Sequence, residues 1–192
     1  MDLKSAYDSL LAAHIDVAKQ MDALKEDVVK AVELVVETFR AGNKLLLAGN
    51  GGCAADAQHW AAEWIVRLSG DLDRPSMPAI ALTTDSSILT AGANDLGYDD
   101  VIARQVESLG QKGDLFIAIS TSGNSANLLK ATDVAHGKCM QVLGVLGKSG
   151  GKQAEVCDHA VIIPSDDTQR IQEMHAFVGH MLCELSEREL YE

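Results

Sequence analysis

Five short apolar runs, separated by longer stretches of helical periodicity, constrain this sequence more than any other feature. The runs are found at residues 45–49, 79–82, 115–120, 141–146 and 160–164. They are apolar throughout rather than alternating with polar residues, which is typical of strands covered on both faces. Alternation of strand and helix predicts a parallel sheet with right-handed crossovers. We therefore expect an α/β fold with a doubly wound sheet of five parallel strands.

Helical periodicity accounts for most of the remaining chain. The predicted helices are two within residues 3–41 and five more at 53–68, 85–110, 124–137, 150–156 and 168–190. We expect a single domain of residues 1–192. In it, an N-terminal helical hairpin, residues 1–43, precedes an α/β sandwich with a long C-terminal helix, residues 44–192.

Charge and composition limit the partners that this chain can have. Its 192 residues carry a net charge of −12, whereas binding to nucleic acid or to an anionic membrane needs clustered Lys and Arg. No apolar run approaches the roughly 20 residues of a membrane span, and the N-terminus lacks the pattern of a signal peptide. The four scattered cysteines are interpreted as reduced thiols. We expect a cytoplasmic protein without nucleic-acid or membrane partners.

A glycine-rich turn, GNGGCA at residues 49–54, follows the first predicted strand and opens a helix. It matches the GxGxxA dinucleotide fingerprint, which also needs an acidic residue about 20 positions later at the end of the next strand. Asp71 and Asp73 precede that strand instead. A tight turn that needs glycine only for its backbone conformation is one interpretation. We favour another, in which N–H groups at the helix N-terminus hold part of an anionic or polyhydroxyl ligand.

A hydroxyl-rich turn, ISTSGNSANLLK at residues 119–130, follows the third predicted strand. Its hydroxyl side chains are those of Ser120, Thr121, Ser122 and Ser125. Hydroxyl groups and free N–H groups at a helix N-terminus suit a phosphate, and they need no Lys or Arg. Simple helix capping is the alternative. Two such turns at successive strand ends favour a site for a phosphorylated sugar.

Three further sets of polar residues are candidates for chemistry. His59 and Glu63 share one helix face, as a surface pair, a zinc site or an acid–base pair. Periodicity does not choose among the polar residues of the last helix, which are Gln172, Glu173, His175 and His180. Asn94 and Asp95 in GANDLGYDD either form an Asx turn or hydrogen-bond ligand hydroxyls.

Four segments together resemble those of one family, the phosphoheptose isomerases of the sugar-isomerase (SIS) superfamily. The segments are GNGGCAADAQHWAAE, ALTTDSSILTAGANDLGYDD, ISTSGNSANLLKA and TQRIQEMH…GH, and the resemblance covers nearly the whole chain. It implies a flavodoxin-like sandwich that assembles as a homotetramer with active sites between subunits. It also implies conversion of D-sedoheptulose 7-phosphate to D-glycero-D-manno-heptose 7-phosphate, the first step toward the heptose of lipopolysaccharide or related surface glycans.

The resemblance further implies roles for individual residues. One zinc ion per subunit would be bound by His59, Glu63, Gln172 and His180. The phosphate would be held by Ser120, Thr121, Ser122 and Ser125. Other substrate contacts would come from Asn50, Gly51, Gly52, Asn94, Asp95 and Gln172. We interpret Glu63 as the catalytic base and His180 as the second acid–base group. Cys53 is a departure, since family members more often have serine there.

Three other functions are alternatives to an isomerase. A non-catalytic SIS protein that binds a sugar phosphate or the bacterial replication initiator protein tends to lack the His/Glu set. A sugar-phosphate-sensing module of a regulator fits the acidic charge poorly, and an oxidoreductase would need the ribose-binding acid. The presence of His59, Glu63, Gln172 and His180 favours an isomerase.

Overall fold

All five predicted strands are present, and they form one parallel sheet. A computed structural model describes residues 1–192. The strands are β1 (Leu45–Gly49), β2 (Ala79–Ala81), β3 (Leu115–Ser120), β4 (Gln141–Gly147) and β5 (His159–Ile163). Their order is β2-β1-β3-β4-β5, and every neighbouring pair is parallel. The predicted α/β fold is confirmed.

Eight α-helices accompany the sheet. They are α1 (Leu3–Gln20), α2 (Lys25–Arg40), α3 (Gly52–Ile65), α4 (Ser86–Asp95), α5 (Val101–Leu109), α6 (Ala126–Gly137), α7 (Gly151–Val156) and α8 (Thr168–Tyr191). The prediction of one helix over residues 85–110 is wrong, because the chain turns at Gly97 with a φ of +91°. L side chains rarely adopt that conformation, so the helix ends before it. None of the helices combines the length and apolar character that a membrane crossing requires.

Two apolar layers cover the sheet, one on each face. Alternate residues of β1 point to opposite sides, so Leu45 and Leu47 join one buried cluster and Leu46 and Ala48 join the other. The first cluster packs against α2, α3 and α8, and the second packs against α5 and α6. Burial on both faces explains why the strands are apolar at every position.

Helices α3 and α8 lie side by side and run in the same direction. Trp60 packs directly on Gly179, where an added Cβ would collide with the indole ring. Further along, the Trp64 Nε1–H donates to Ser186 Oγ at 3.1 Å. These contacts set which residues of the two helices face each other, and all four predicted zinc ligands are on these helices.

Arg74 ties the C-terminal end of α3 to α8. Its guanidinium pairs with Glu187, and the two side chains are only 1% and 5% exposed. It also donates to the carbonyl oxygens of Trp64 at 2.8 Å and Glu63 at 2.7 Å. The last carbonyl groups of a helix lack donors within the helix, so Arg74 caps α3 while it holds the two helices together.

The order of the strands places a crevice between β1 and β3. In open sheets with this order, ligands bind at the carboxyl ends of the strands where the order reverses. The glycine-rich turn follows Gly49 at the end of β1, and the hydroxyl-rich turn begins at Ser120 at the end of β3. Gly49 is paired with Ile119 in the sheet. The two turns predicted to bind ligand are therefore neighbours.

Candidate active site

The glycine-rich turn brings the first turns of α3 and α8 into contact. Gly51 has φ of +57° and ψ of −119°, which L side chains rarely adopt. At Gly52, a Cβ would collide with the side chain of Gln172 on α8. The amide of Gln172 therefore lies over the backbone of the turn, and a larger residue at position 52 would displace it.

Asn50 is held by two residues that the sequence analysis did not select. Its Nδ2 donates to Asn127 Oδ1 at 3.0 Å, and Asn127 Nδ2 donates to Asn50 Oδ1 at 2.9 Å. The hydroxyl of Tyr98 donates to the same Asn50 oxygen at 2.8 Å. This network fixes the orientation of the Asn50 amide and joins the turn after β1 to α6 and to the segment after α4.

The hydroxyl-rich turn is closed on itself and leaves donors available at its helix end. Ser120 Oγ accepts from the Gly123 N–H at 3.0 Å and lies 3.5 Å from Ser125 Oγ. Ser125 is the N-cap of α6, yet its side chain makes no capping hydrogen bond. The first N–H groups of α6 therefore remain available for an anion. This turn contains all of the predicted phosphate ligands: Ser120, Thr121, Ser122 and Ser125.

His59, Glu63 and His180 form one group on α3 and α8, with ligand atoms within 4.8 Å of one another. His59 Nε2 lies 2.9 Å from His180 Nε2, and His59 Nδ1 lies 3.5 Å from Glu63 Oε1. The two Nε2 atoms are within hydrogen-bond distance, and which of them donates depends on the tautomers of the two rings. The His59 side chain is 47% exposed, and the Glu63 side chain is 17% exposed. The group is therefore accessible to solvent on the histidine side, while its carboxylate is largely covered.

This group has the donors of a metal site. Two imidazole nitrogens and one carboxylate oxygen, open on one side, form a ligand set that transition metals accept. The Nε2 atoms of His59 and His180 face each other at 2.9 Å, so both could bond to one cation placed beside them. Gln172 lies against Gly52, and its predicted role as a further ligand stays a prediction.

Comparisons with known proteins identify the family of this chain. A model of the SIS domain family matches residues 11–147. A phosphoheptose isomerase from Aliarcobacter butzleri is 49% identical over 189 residues, which are 98% of this chain and 99% of that protein. The chain belongs to the phosphoheptose isomerase family. It is therefore an isomerase, and its sugar-isomerase fold is expected to place the ligand at the carboxyl ends of the strands.

Solved structures of two family members share the whole fold. Phosphoheptose isomerase GmhA from Neisseria gonorrhoeae has a TM-score of 0.90 and 39% identity, covering 97% of this chain and 99% of the other. A phosphoheptose isomerase from Francisella tularensis has a TM-score of 0.94 and 32% identity, covering 98% of this chain and 100% of the other. The likeness extends beyond the matched SIS segment and includes α8, the helix that carries Gln172 and His180.

A second polar group lies between α3 and α8. Cys53, Asp56 and His175 bring their ligand atoms within 4.8 Å of one another, and Cys53 Sγ is 3.9 Å from His175 Nδ1. Burial lowers the pKa of His175 to about 4, against a smaller opposing effect of the nearby Leu146 carbonyl. Burial also raises the pKa of Asp56 to about 6 and raises the pKa of the Cys53 thiol. His175 is thus a neutral, buried residue.

The remaining candidates lie outside these two groups. Glu173 accepts from His14 Nδ1 at 2.8 Å and pairs with Arg170, so it serves the packing of α1 on α8. Asn94 and Asp95 end α4 in exposed positions, and Asn94 Nδ2 donates to Asp95 Oδ1 at 2.7 Å. The hydrogen bond between Tyr98 and Asn50 connects their segment to the glycine-rich turn.

Proposed function

We propose that this chain converts D-sedoheptulose 7-phosphate to D-glycero-D-manno-heptose 7-phosphate, the first step of heptose biosynthesis for lipopolysaccharide or surface glycans. The observation that carries the proposal is the meeting of the glycine-rich and hydroxyl-rich turns between β1 and β3, in a chain 49% identical to a phosphoheptose isomerase. A phosphate held by the hydroxyl-rich turn anchors one end of the sugar, and binding energy at that end positions the reacting carbons.

The proposed reaction moves a proton between C1 and C2 of the sugar through an enediol. It needs a base for the carbon-bound proton and a group that exchanges protons with the two oxygens. Glu63 is the proposed base, and its half-buried position shields the carboxylate from water. His180 is the proposed second acid–base group, and its Nε2 lies 2.9 Å from Nε2 of His59. The proposed substrate contacts are Asn50, Gly51, Gly52, Asn94, Asp95, Gln172 and the four hydroxyls of the phosphate turn.

We propose zinc as the ion of this site, one per chain, with His59, Glu63, Gln172 and His180 as ligands. Nitrogen and oxygen donors in an open set are those that zinc accepts in enzymes. When bound, zinc supplies a Lewis acid that polarises the carbonyl and hydroxyl oxygens of the sugar. The clustering of two histidines and a glutamate supports the assignment.

Three proposals concern the whole protein. A homotetramer is supported by α1, which exposes a set of large apolar side chains and buries only Val17. The exposed side chains are Leu3, Tyr7, Leu10, Leu11 and Ile15.

Four free thiols are typical of the cytoplasm, where we place the enzyme. We also propose that residues 1–192 form one SIS domain, because α8 completes the site begun by α3.

The deciding experiment follows sedoheptulose 7-phosphate by NMR with the purified protein, as isolated, after chelation and after zinc is restored. We expect aldoheptose 7-phosphate to form, to fall on chelation and to return with zinc. Undiminished turnover after verified metal removal would reject the zinc assignment alone. No turnover in the zinc-loaded protein would reject the isomerase proposal in favour of a non-catalytic SIS protein that binds a sugar phosphate or another protein.

A further inference from the structure

The cluster of Cys53, Asp56 and His175, here named the inner group, has no part in the proposed reaction. Cys53 and Asp56 are three positions apart on α3, which places them on one face, and His175 reaches them from α8. Cys53 is 3% exposed and His175 is 0% exposed. Thiol, carboxylate and imidazole are three different metal-ligating groups, gathered where the two helices pack together.

Two atoms of the inner group are buried without a hydrogen-bond partner: Asp56 Oδ2 and His175 Nε2. Each such atom costs about 1–3 kcal/mol of folding free energy, and folded proteins rarely leave them unpaired. The neighbouring Cys53 thiol is too weak a hydrogen-bonding group to offset that cost. An occupant that bonds the Asp56 carboxylate would remove its share of that cost, and the same occupant would reach the His175 imidazole, whose Nδ1 lies 3.9 Å from Cys53 Sγ.

We propose that Cys53, Asp56 and His175 bind a divalent cation of the zinc or cobalt class, separate from the ion proposed at His59. Three atoms within 4.8 Å of one another share a point no more than about 2.8 Å from each. Zinc bonds to nitrogen, oxygen and sulfur are about 2.0–2.3 Å long, so side-chain shifts of under about 1 Å complete the site. Sulfur and nitrogen among the ligands select this class over Mg²⁺ and Ca²⁺, which prefer oxygen.

The protonation states of the inner group favour a cation over a neutral or anionic ligand. With its pKa lowered to about 4 by burial, His175 is neutral near pH 7, and a neutral imidazole has one nitrogen that can coordinate a metal. Asp56, with a pKa raised to about 6, is mainly ionised there. Coordination by the Cys53 thiol would release its proton, since the thiolate is the form that binds a metal.

Cobalt(II) is the probe that separates the inner group from the His59 site, because a cobalt–thiolate bond absorbs in the near ultraviolet and imidazole or carboxylate ligation does not. The chelator-treated full chain is titrated with Co²⁺, and absorbance and bound cobalt are both measured. We expect the thiolate band and a second equivalent of bound cobalt. We expect Cys53→Ser to abolish the thiolate band and to weaken cobalt binding at the inner group at least about tenfold. The cobalt ion at the His59 site should remain bound.

Two controls are matched to Cys53→Ser. Cys157→Ser removes a half-buried thiol packed against the opposite face of the sheet, and we expect it to leave band and stoichiometry unchanged. His59→Ala removes a ligand of the other site and should keep the band. If Cys53→Ser does not fold, Asp56→Asn replaces it, with an expected loss of at least about tenfold in cobalt affinity measured at the band.

Other results would overturn the inference. The first is that the wild-type protein shows no thiolate band at saturating Co²⁺. The second is that the band survives in Cys53→Ser, and the third is that the band is lost in His59→Ala. In the first case, a buried water would be the hydrogen-bond partner of the two unpaired atoms. Because none of these readouts measures isomerase activity, failure of this proposal is distinguishable from failure of the proposed function.

Discussion

At the scale of the residue, Glu63 carries the proposed proton transfer. Glu63→Gln keeps the size of the side chain but removes its basicity, so we expect turnover to fall by about 10²–10⁴-fold with the fold unchanged. The measurement is the rate of ketoheptose 7-phosphate isomerisation, with circular dichroism as the check on folding. Glu184→Gln, an exposed position on α8, is the control. Near wild-type activity in Glu63→Gln would remove Glu63 as the base.

Tyr98 positions Asn50 rather than touching the reacting carbons. Tyr98→Phe deletes the 2.8 Å hydrogen bond to Asn50 Oδ1, and a bond of this kind contributes about 1 kcal/mol. We expect KM for the sugar phosphate to rise about fivefold, the equivalent of that energy, with kcat little changed. Tyr191→Phe, at the exposed end of α8, should leave both constants unchanged. An unaltered KM in Tyr98→Phe would contradict the positioning role.

Local spacing predicted the pair of His59 and Glu63, because residues four apart share a helix face. It did not predict the Asn50 network, because Tyr98 and Asn127 are 48 and 77 positions away along the chain. Nor did periodicity separate the two histidines of α8. His175 is buried against α3 and His180 is exposed, a difference set by how α8 rests on its neighbour.

At the scale of the element, the pairing of α3 with α8 depends on a buried ion pair. Arg74→Ala leaves Glu187 charged and unpaired in the interior and removes the donors to the end of α3, so we expect a loss of about 3–5 kcal/mol in unfolding free energy. Urea denaturation measures it. Arg188→Ala breaks an exposed pair with Glu184 and is expected to lose less than about 1 kcal/mol. Equal losses of unfolding free energy in the two variants would contradict the role of Arg74 in joining α3 to α8.

The strands were predicted within about one residue because burial on both faces leaves unbroken apolar runs, and β1 and β3 have the predicted bounds. The helices were predicted less well where tertiary contacts end them. Helix α3 stops at Ile65 rather than at residue 68 because Arg74, from the following loop, binds its last carbonyl groups. The turn at Gly97 divides the predicted helix of residues 85–110 into α4 and α5.

At the scale of the whole molecule, α1 is the surface that we expect to hold subunits together. Leu10 is 59% exposed in the single chain, so Leu10→Glu should leave the stability of the chain nearly unchanged. It should dissociate the proposed tetramer, because a carboxylate would be buried among apolar groups at the interface. Sedimentation velocity is the measurement. Gln20→Glu adds the same charge at the end of α1, and a mass loss in this control alone would point to a different interface.

The parallel contact between α3 and α8 also has a consequence for synthesis. His59 leaves the ribosome 121 residues before His180. Domains fold as units while the chain is being made, and here the three-residue group stays incomplete until α8 has been synthesised. A chain released before α8 would contain the proposed phosphate-binding turn but would lack the second histidine and the apolar face of α8. We expect such a fragment not to isomerise a sugar phosphate.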